Sequence, residues 1–230
     1  MFSVVLDLVS KKYINGSTDL IILDKASYNF EFGKFYSIVG RSGLGKTTLV
    51  SLIGTVEKAD EGSILVSNHN LSDVSMHKLT EIRRKDIGFV FQNFSLIDRY
   101  SIIDNLEIPL YFSGIRKESH RLSIIKKCIE SVGISENQLE KKVSQLSGGE
   151  KQRIAICRAL LNSPSIIIAD EPTGNLDEDN EQNIVKAFMD IKASRNCTII
   201  MVTHNKSIAN KADVMITLED GKIVEVGGTI

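Results

Sequence analysis

Apolar and polar residues change rhythm along this chain, and the rhythm divides it. Over residues 2–9 they alternate with a period near two, as in a strand with one buried face. Turn signals follow at Asn15, Gly16 and Ser17 and at Gly33 and Lys34. Residues 35–39, 87–91, 165–169 and 198–202 are short, almost continuous apolar runs, the pattern of strands buried on both faces. Residues 63–66, 214–218 and 222–226 predict further strands. A helix is expected over 48–53 and a short one over 78–84. The period then lengthens. Across 101–110, 117–131 and 147–161, Ile and Leu recur three and four residues apart, and 178–191 predicts one more helix. Alternating strands and helices predict an α/β fold, a mostly parallel sheet with helices on both faces. An antiparallel layer lies beside it and a helical stretch interrupts it. Pro109, Pro164 and Pro172 are expected at element ends.

A chain of 230 residues has room for one large domain, or for a core with one inserted lobe. With 25% charged residues, 42% hydrophobic ones and a net charge of -1, it has no broad basic face, so no nucleic-acid partner is expected. The lysine pairs Lys11-Lys12 and Lys141-Lys142 are too short to change that. Cys128, Cys157 and Cys197 are scattered and in no metal-ligand spacing, which reads as small core fillers in a reducing compartment. No apolar run approaches the ~20 residues of a spanning helix. The first residues carry Asp7 inside their apolar stretch and no basic residue before it, so a signal peptide is not expected. A soluble, cytoplasmic protein is the expectation.

The chemistry concentrates in three stretches. The first is GRSGLGKT, comprising Gly40, Arg41, Ser42, Gly43, Leu44, Gly45, Lys46 and Thr47, followed by Thr48. Between a buried strand and a helix start, this spacing is a phosphate-binding loop. Its glycines let the backbone aim N–H groups at phosphate oxygens, and the helix N-terminus adds a positive dipole end. Lys46 reaches the β- and γ-phosphates, and the Thr47 hydroxyl is a ligand for Mg²⁺. The second is SIIIADEP, where a buried strand ends in Asp170 and Glu171. A carboxylate at that edge holds Mg²⁺ through water, and its neighbour orients a water for attack on the γ-phosphate. The third is QLSGGEKQRIAICRAL. Ser147 caps a helix with Glu150 three residues on, and Gly148 and Gly149 lower helix propensity in its first turn, which a plain cap does not explain.

Together these resemble the ATP-binding subunit of ABC transporters, with LSGGE at residues 146–150 similar to that family's signature motif. The resemblance runs the length of the chain. It implies that Tyr13 stacks on adenine and that Gln92, in FVFQNFSLI, contacts Mg²⁺, the attacking water and the transporter. It also makes Asn175, Leu176 and Asp177 the D-loop, and His204, in MVTHN, the switch histidine near the γ-phosphate. The wider wording resembles the lipoprotein-release, macrolide-efflux and antimicrobial-peptide export group. Departures are small: Leu44 stands at a usually small position, residues 59–62 replace a Pro-Thr-Ser-Gly turn, and Glu150 and Lys151 replace glutamines.

The implied fold is a P-loop NTPase with a RecA-like core, an antiparallel β subdomain and an inserted α-helical subdomain. One ATP-binding domain would span 1–230, with the core and β layer in 1–92 and 146–230 and the helical part in 93–145. Two copies would pair head-to-tail, with Ser147, Gly148 and Gly149 of one completing the ATP and Mg²⁺ site of the other. Glu171, His204, Lys46 and Gln92 are the implied catalytic residues, and Thr47, Gln92 and Asp170 the implied metal ligands. The partner would be an integral-membrane permease and the location the inner face of the cell membrane. A nucleotide-gated regulator that translocates nothing would share the same site and differ only in its partner. A P-loop kinase or GTPase is the other rival, and the signature, Gln92 and His204 argue against it.

Overall fold

A computed structural model describes residues 1–15, 18–72 and 74–226. The turn expected at Gly16 and Ser17 lies outside them. Two sheets form. The larger has six strands: β3 (Phe35–Val39), β6 (Ile87–Phe91), β7 (Ile166–Asp170), β8 (Thr198–Val202), β9 (Val214–Glu219) and β10 (Lys222–Val226). Their order is β10-β9-β3-β8-β7-β6, and every pairing is parallel except β9 with β10. The smaller sheet is antiparallel and runs β2-β1-β4-β5, from β1 (Phe2–Asn15), β2 (Thr18–Glu31), β4 (Glu61–Val66) and β5 (His69–Asn70).

The apolar strands are continuous because both faces of the large sheet are covered. Along β7, Ile166 and Ile168 pack with α1 (Lys46–Ile53), α2 (Met76–Asp86) and the antiparallel sheet, through Leu49, Leu52, Ile82 and Leu6. Ile167 and Ala169 point the other way. They pack with α3 (Ile102–Phe112), α4 (Glu118–Ser131), α5 (Gly148–Leu160) and α6 (Glu178–Ser194), through Leu106, Ile125, Ile156 and Phe188. The period-two pleat therefore feeds two separate cores from one strand. Cys128, Cys157 and Cys197 are free and buried in the second of these.

Between Phe91 and Ile166 the chain adds no strand to either sheet, only α3, α4, α5 and two short 3-10 turns. The two ends of the α3–α4 stretch are tied together. Ile102 N–H donates to Lys141 O at 2.9 Å and Val143 N–H to Tyr100 O at 3.0 Å. Ser101 caps α3 through a reciprocal bond with Asp104.

Two expectations need correction. Pro109 does not end an element; it sits inside α3, which continues to Phe112. Lacking an N–H, it makes no bond back to Asn105 O, while its own carbonyl accepts from Ser113 N–H at 3.0 Å. β1 also runs beyond residue 9. The alternation breaks at Leu8, whose φ of 48° marks a bulge, yet pairing with β2 resumes at Val9↔Ala26 and continues through Lys11↔Leu23 and Tyr13↔Leu20 to Asn15↔Thr18. A short helix, α7 (Lys206–Ala209), follows β8 with Asn205 as its cap. Among the described residues no helix is long and apolar enough to cross a membrane.

Ile168→Ala should cost about 2–5 kcal/mol of stability, since it leaves a cavity at a fully buried position in the central sheet. Equilibrium urea unfolding measures this, and a change below about 1 kcal/mol would contradict the two-core packing.

Candidate functional site

Three neighbouring parallel strands, β3, β8 and β7, end at the same level. Val202 pairs with Ile38 on one side and with Asp170 on the other. Their carboxyl ends therefore open onto one edge of the sheet, where ligands of such sheets bind. The loop after β3 carries Gly40, Gly43 and Gly45, β7 ends at Asp170 with Glu171 next, and His204 follows β8.

The loop after β3 is shaped by backbone that only glycine adopts with ease. Gly45 has φ 90° and caps α1 with no side-chain hydrogen bond, and a Cβ there would overlap the Ile22 side chain. The first N–H groups of α1 thus lack a side-chain partner and suit phosphate oxygens. Lys46 is buried, and its ammonium donates to the carbonyls of Gly40 and Arg41, both at 2.8 Å. Leu44 is 41% exposed, and its Cδ1 packs back toward Gly40, where a Cβ would come within 3.2 Å of it.

Beside this loop, Thr47 Oγ1 donates to Asp170 Oδ1 at 3.5 Å. Burial pushes the Asp170 carboxyl above its usual range, with the Glu171 charge adding to it and the Thr47 hydroxyl opposing. Glu171 sits in the left-handed region at φ 46°, its N–H donating to Val202 O at 3.0 Å. Its Oε2 lies 3.5 Å from His204 Nδ1, and the His204 side chain is largely exposed. These two candidate catalytic groups, from β7 and β8, are therefore brought together.

Gln92, at the end of β6, is placed differently. Its amide rests against Gly174, close enough that a Cβ there would meet Nε2 at 2.8 Å. Its backbone carbonyl accepts from Asn175 Nδ2 at 3.2 Å. Gln92 is thus joined to the turn that follows Glu171, not to Thr47 or Asp170.

Tyr13, from β1, lines one cleft with Leu20, Ile22, Ser42, Gly43, Gly45, Lys46, Thr47, Thr48 and Glu171. Its hydroxyl donates to Glu57 Oε2 at 2.6 Å. Burial and the Glu57 carboxylate raise its pKa. Leu20, Ile22 and Glu57 were not singled out by sequence. They come from pairing of β2 with β1 and from the connection after α1, and no local pattern marks either.

Ser147, Gly148 and Gly149 do not line this cleft. Ser147 caps α5 by accepting from Glu150 N–H at 3.3 Å, while its own N–H donates to Glu150 Oε2 at 2.8 Å. That N–H holds the Glu150 carboxyl below its usual range. A Cβ on Gly149 would overlap the Asn180 amide, and one on Gly148 would come 3.3 Å from Leu176 Cδ2. Close approach of α6 is thus a structural reason for the second glycine, which helix propensity alone left unexplained.

The family model for ABC transporter matches residues 23–174. The macrolide export ATP-binding/permease protein MacB of Rhodopirellula baltica is 39% identical over 216 residues, 94% of this chain and 31% of that protein. The chain therefore spans about a third of the length of that relative (31%). The lipoprotein-releasing system ATP-binding protein LolD of Treponema denticola is 35% identical over 223 residues, 97% of this chain and 98% of that protein. The dimeric post-hydrolysis structure of the ATP-binding cassette MJ0796 of Methanocaldococcus jannaschii, bound to ADP and Pi, superposes with a TM-score of 0.88 at 35% identity. It covers 98% of this chain and 100% of its own. The chain thus belongs to the ABC transporter family.

Proposed function

We propose that this cassette powers a separate integral-membrane permease, working as a head-to-tail pair on the inner face of the cell membrane. The observation that carries the chemistry is the shared edge of β3, β8 and β7: Lys46, Thr47 and Glu171 line one cleft, with Asp170 on Thr47 and His204 beside Glu171. Residues 93–145 form the helical lobe, and residues 1–92 and 146–230 the core with its β layer.

Tyr13 supplies the face on which adenine stacks, and residues 40–48 hold the phosphates through backbone N–H groups and the Lys46 ammonium. The Gly40 and Arg41 carbonyls hold the Lys46 ammonium at the loop, and it exchanges bonds to them for bonds to phosphate oxygens. Glu171 accepts or orients the proton of the attacking water, and His204 beside it fixes the water and the γ-phosphate. The donor set fits Mg²⁺: a hydroxyl at Thr47 and a desolvated carboxylate at Asp170 are neighbouring hard oxygen donors, and the Gln92 amide oxygen would join them by turning from Gly174. When bound, Mg²⁺ neutralises charge on the phosphate oxygens. Gln92 reaches the site through the turn at Gly174 and reports its state to the transporter.

Support for the trans arrangement is that Ser147, Gly148 and Gly149 lie outside the cleft that holds Lys46. The anion-binding end of α5 then faces the phosphates of a second copy, in the isologous pairing usual for dimers. Export of a peptide, lipoprotein or antibiotic is the transport reading, favoured over a regulator by relatives named for export and lipoprotein release.

Glu171→Gln should convert the protein to a stable dimer in ATP but not in ADP, because closure then outlasts turnover. Light scattering after size exclusion reads this. A variant that binds saturating ATP and stays monomeric would remove the homodimer from the account. Affinity purification of the tagged chain from detergent-solubilised membranes should recover a multi-span permease. Recovery from the soluble fraction alone, with no membrane protein, would contradict the transport reading.

A further inference from the structure

Tyr13 is held by more than its strand. Its hydroxyl donates to Glu57 Oε2 at 2.6 Å and lies 3.3 Å from Thr48 Oγ1. The Lys11 ammonium stands over its ring, 5.4 Å from the centroid. That ammonium is itself fixed, donating to Lys58 O at 2.9 Å and Asp60 Oδ1 at 3.4 Å, and it lies 3.9 Å from Glu57 Oε2. The other Asp60 oxygen accepts the Lys12 backbone N–H at 2.8 Å. Residues 57–60, after α1, thus clasp the tyrosine from β1 at its edge and its face.

The sheet does not need this clasp. Backbone pairing of Tyr13 with Leu20 already fixes the strand, and the ring is 37% exposed at the rim of the cleft. What the clasp adds is orientation. A half-exposed tyrosine samples several rotamers, and a ligand that stacks on it must select one. Thr48 belongs to α1, directly after Thr47 of the phosphate loop, so the hydroxyl also registers the ring against the phosphate cradle.

We propose that Glu57 is a positioning residue for the nucleotide, accepting the Tyr13 hydroxyl proton and so presetting the ring at the reach from the phosphate loop that a purine nucleotide requires. This rests on Tyr13 being the base platform. The acceptor need not be charged, because the bond requires only an oxygen at that place; Gln at position 57 preserves it. The Glu57 side chain is 34% exposed, so its truncation leaves the cores intact.

Calorimetric titration of the full chain with ADP and, separately, with inorganic tripolyphosphate tests the assignment. Glu57→Ala and Tyr13→Phe should each weaken ADP binding by about 3- to 10-fold, the range of one lost side-chain hydrogen bond. The double variant should be no weaker than Tyr13→Phe alone, since both remove the same bond. Glu57→Gln should stay within about twofold of the parent for ADP. Tripolyphosphate, which has no base, should bind all of them equally. An equal loss for tripolyphosphate in Glu57→Ala would overturn the proposal, because the phosphate loop would then be what was disturbed. If Tyr13→Ala weakens ADP binding and Glu57→Ala does not, the positioning role is wrong and the platform reading stands. If Tyr13→Ala leaves ADP binding unchanged, the platform reading fails and the positioning role with it.

Discussion

The whole site depends on the register of three strands. Ile38, Val202 and Asp170 lie side by side across β3, β8 and β7. Parallel ladders fix that alignment, and the burial of both faces fixes the ladders, because a one-residue slip would exchange Ile167 and Ala169 for Ile166 and Ile168 between two differently shaped cores. Two further bonds lock the edge: Glu171 N–H to Val202 O and Thr203 N–H to Ile38 O. A hydroxyl and two carboxylates from distant parts of the chain thereby meet on one fixed frame, with the exposed His204 imidazole 3.5 Å from Glu171.

From this edge the geometry extends outward through one turn. Glu171 takes a left-handed backbone, a strain of about 1–3 kcal/mol that the surrounding bonds must hold. The residues after it touch Gln92 through Gly174 and Asn175, and the start of α5 through Leu176. Asp177 then caps α6 by accepting from Asn180 N–H at 2.9 Å. The turn that carries Glu171 is therefore also the contact between the end of β6 and the start of α5. A displacement at Glu171 or His204 thus has a short path of packed groups to both.

Much of this was legible in the chain. The phosphate loop could be read because its chemistry is mostly backbone, and glycine spacing writes backbone conformation directly. The strands β3, β7 and β8 could be read because burial on both faces leaves a continuous apolar run. The length of β1 could not. A bulge at Leu8 reverses the alternation, and Lys11 and Lys12 pair through backbone that side-chain pattern does not show. Pro109 was misplaced because a helix tolerates proline near its end when tertiary packing of Leu106 and Leu110 holds it. The bond from Tyr13 to Glu57 joins residues 44 apart, and no short-range pattern marks such a pair. Gly149 is required where α6 presses on α5, a contact visible only in three dimensions.

The central claim is that the site is divided between two copies, Lys46 on one and Ser147 on the other. A mixing assay tests it most directly. Lys46→Ala and Ser147→Arg chains, each inactive alone, are combined in equal amounts with the permease present, and phosphate release is measured. In a head-to-tail pair the mixed dimer keeps one intact site, with both parent side chains, so activity should return towards roughly a quarter of the parent value if pairing is random and sites act independently. No recovery at any mixing ratio, with mixed dimers demonstrably formed, would contradict the account, because it would place both residues in a site within a single chain.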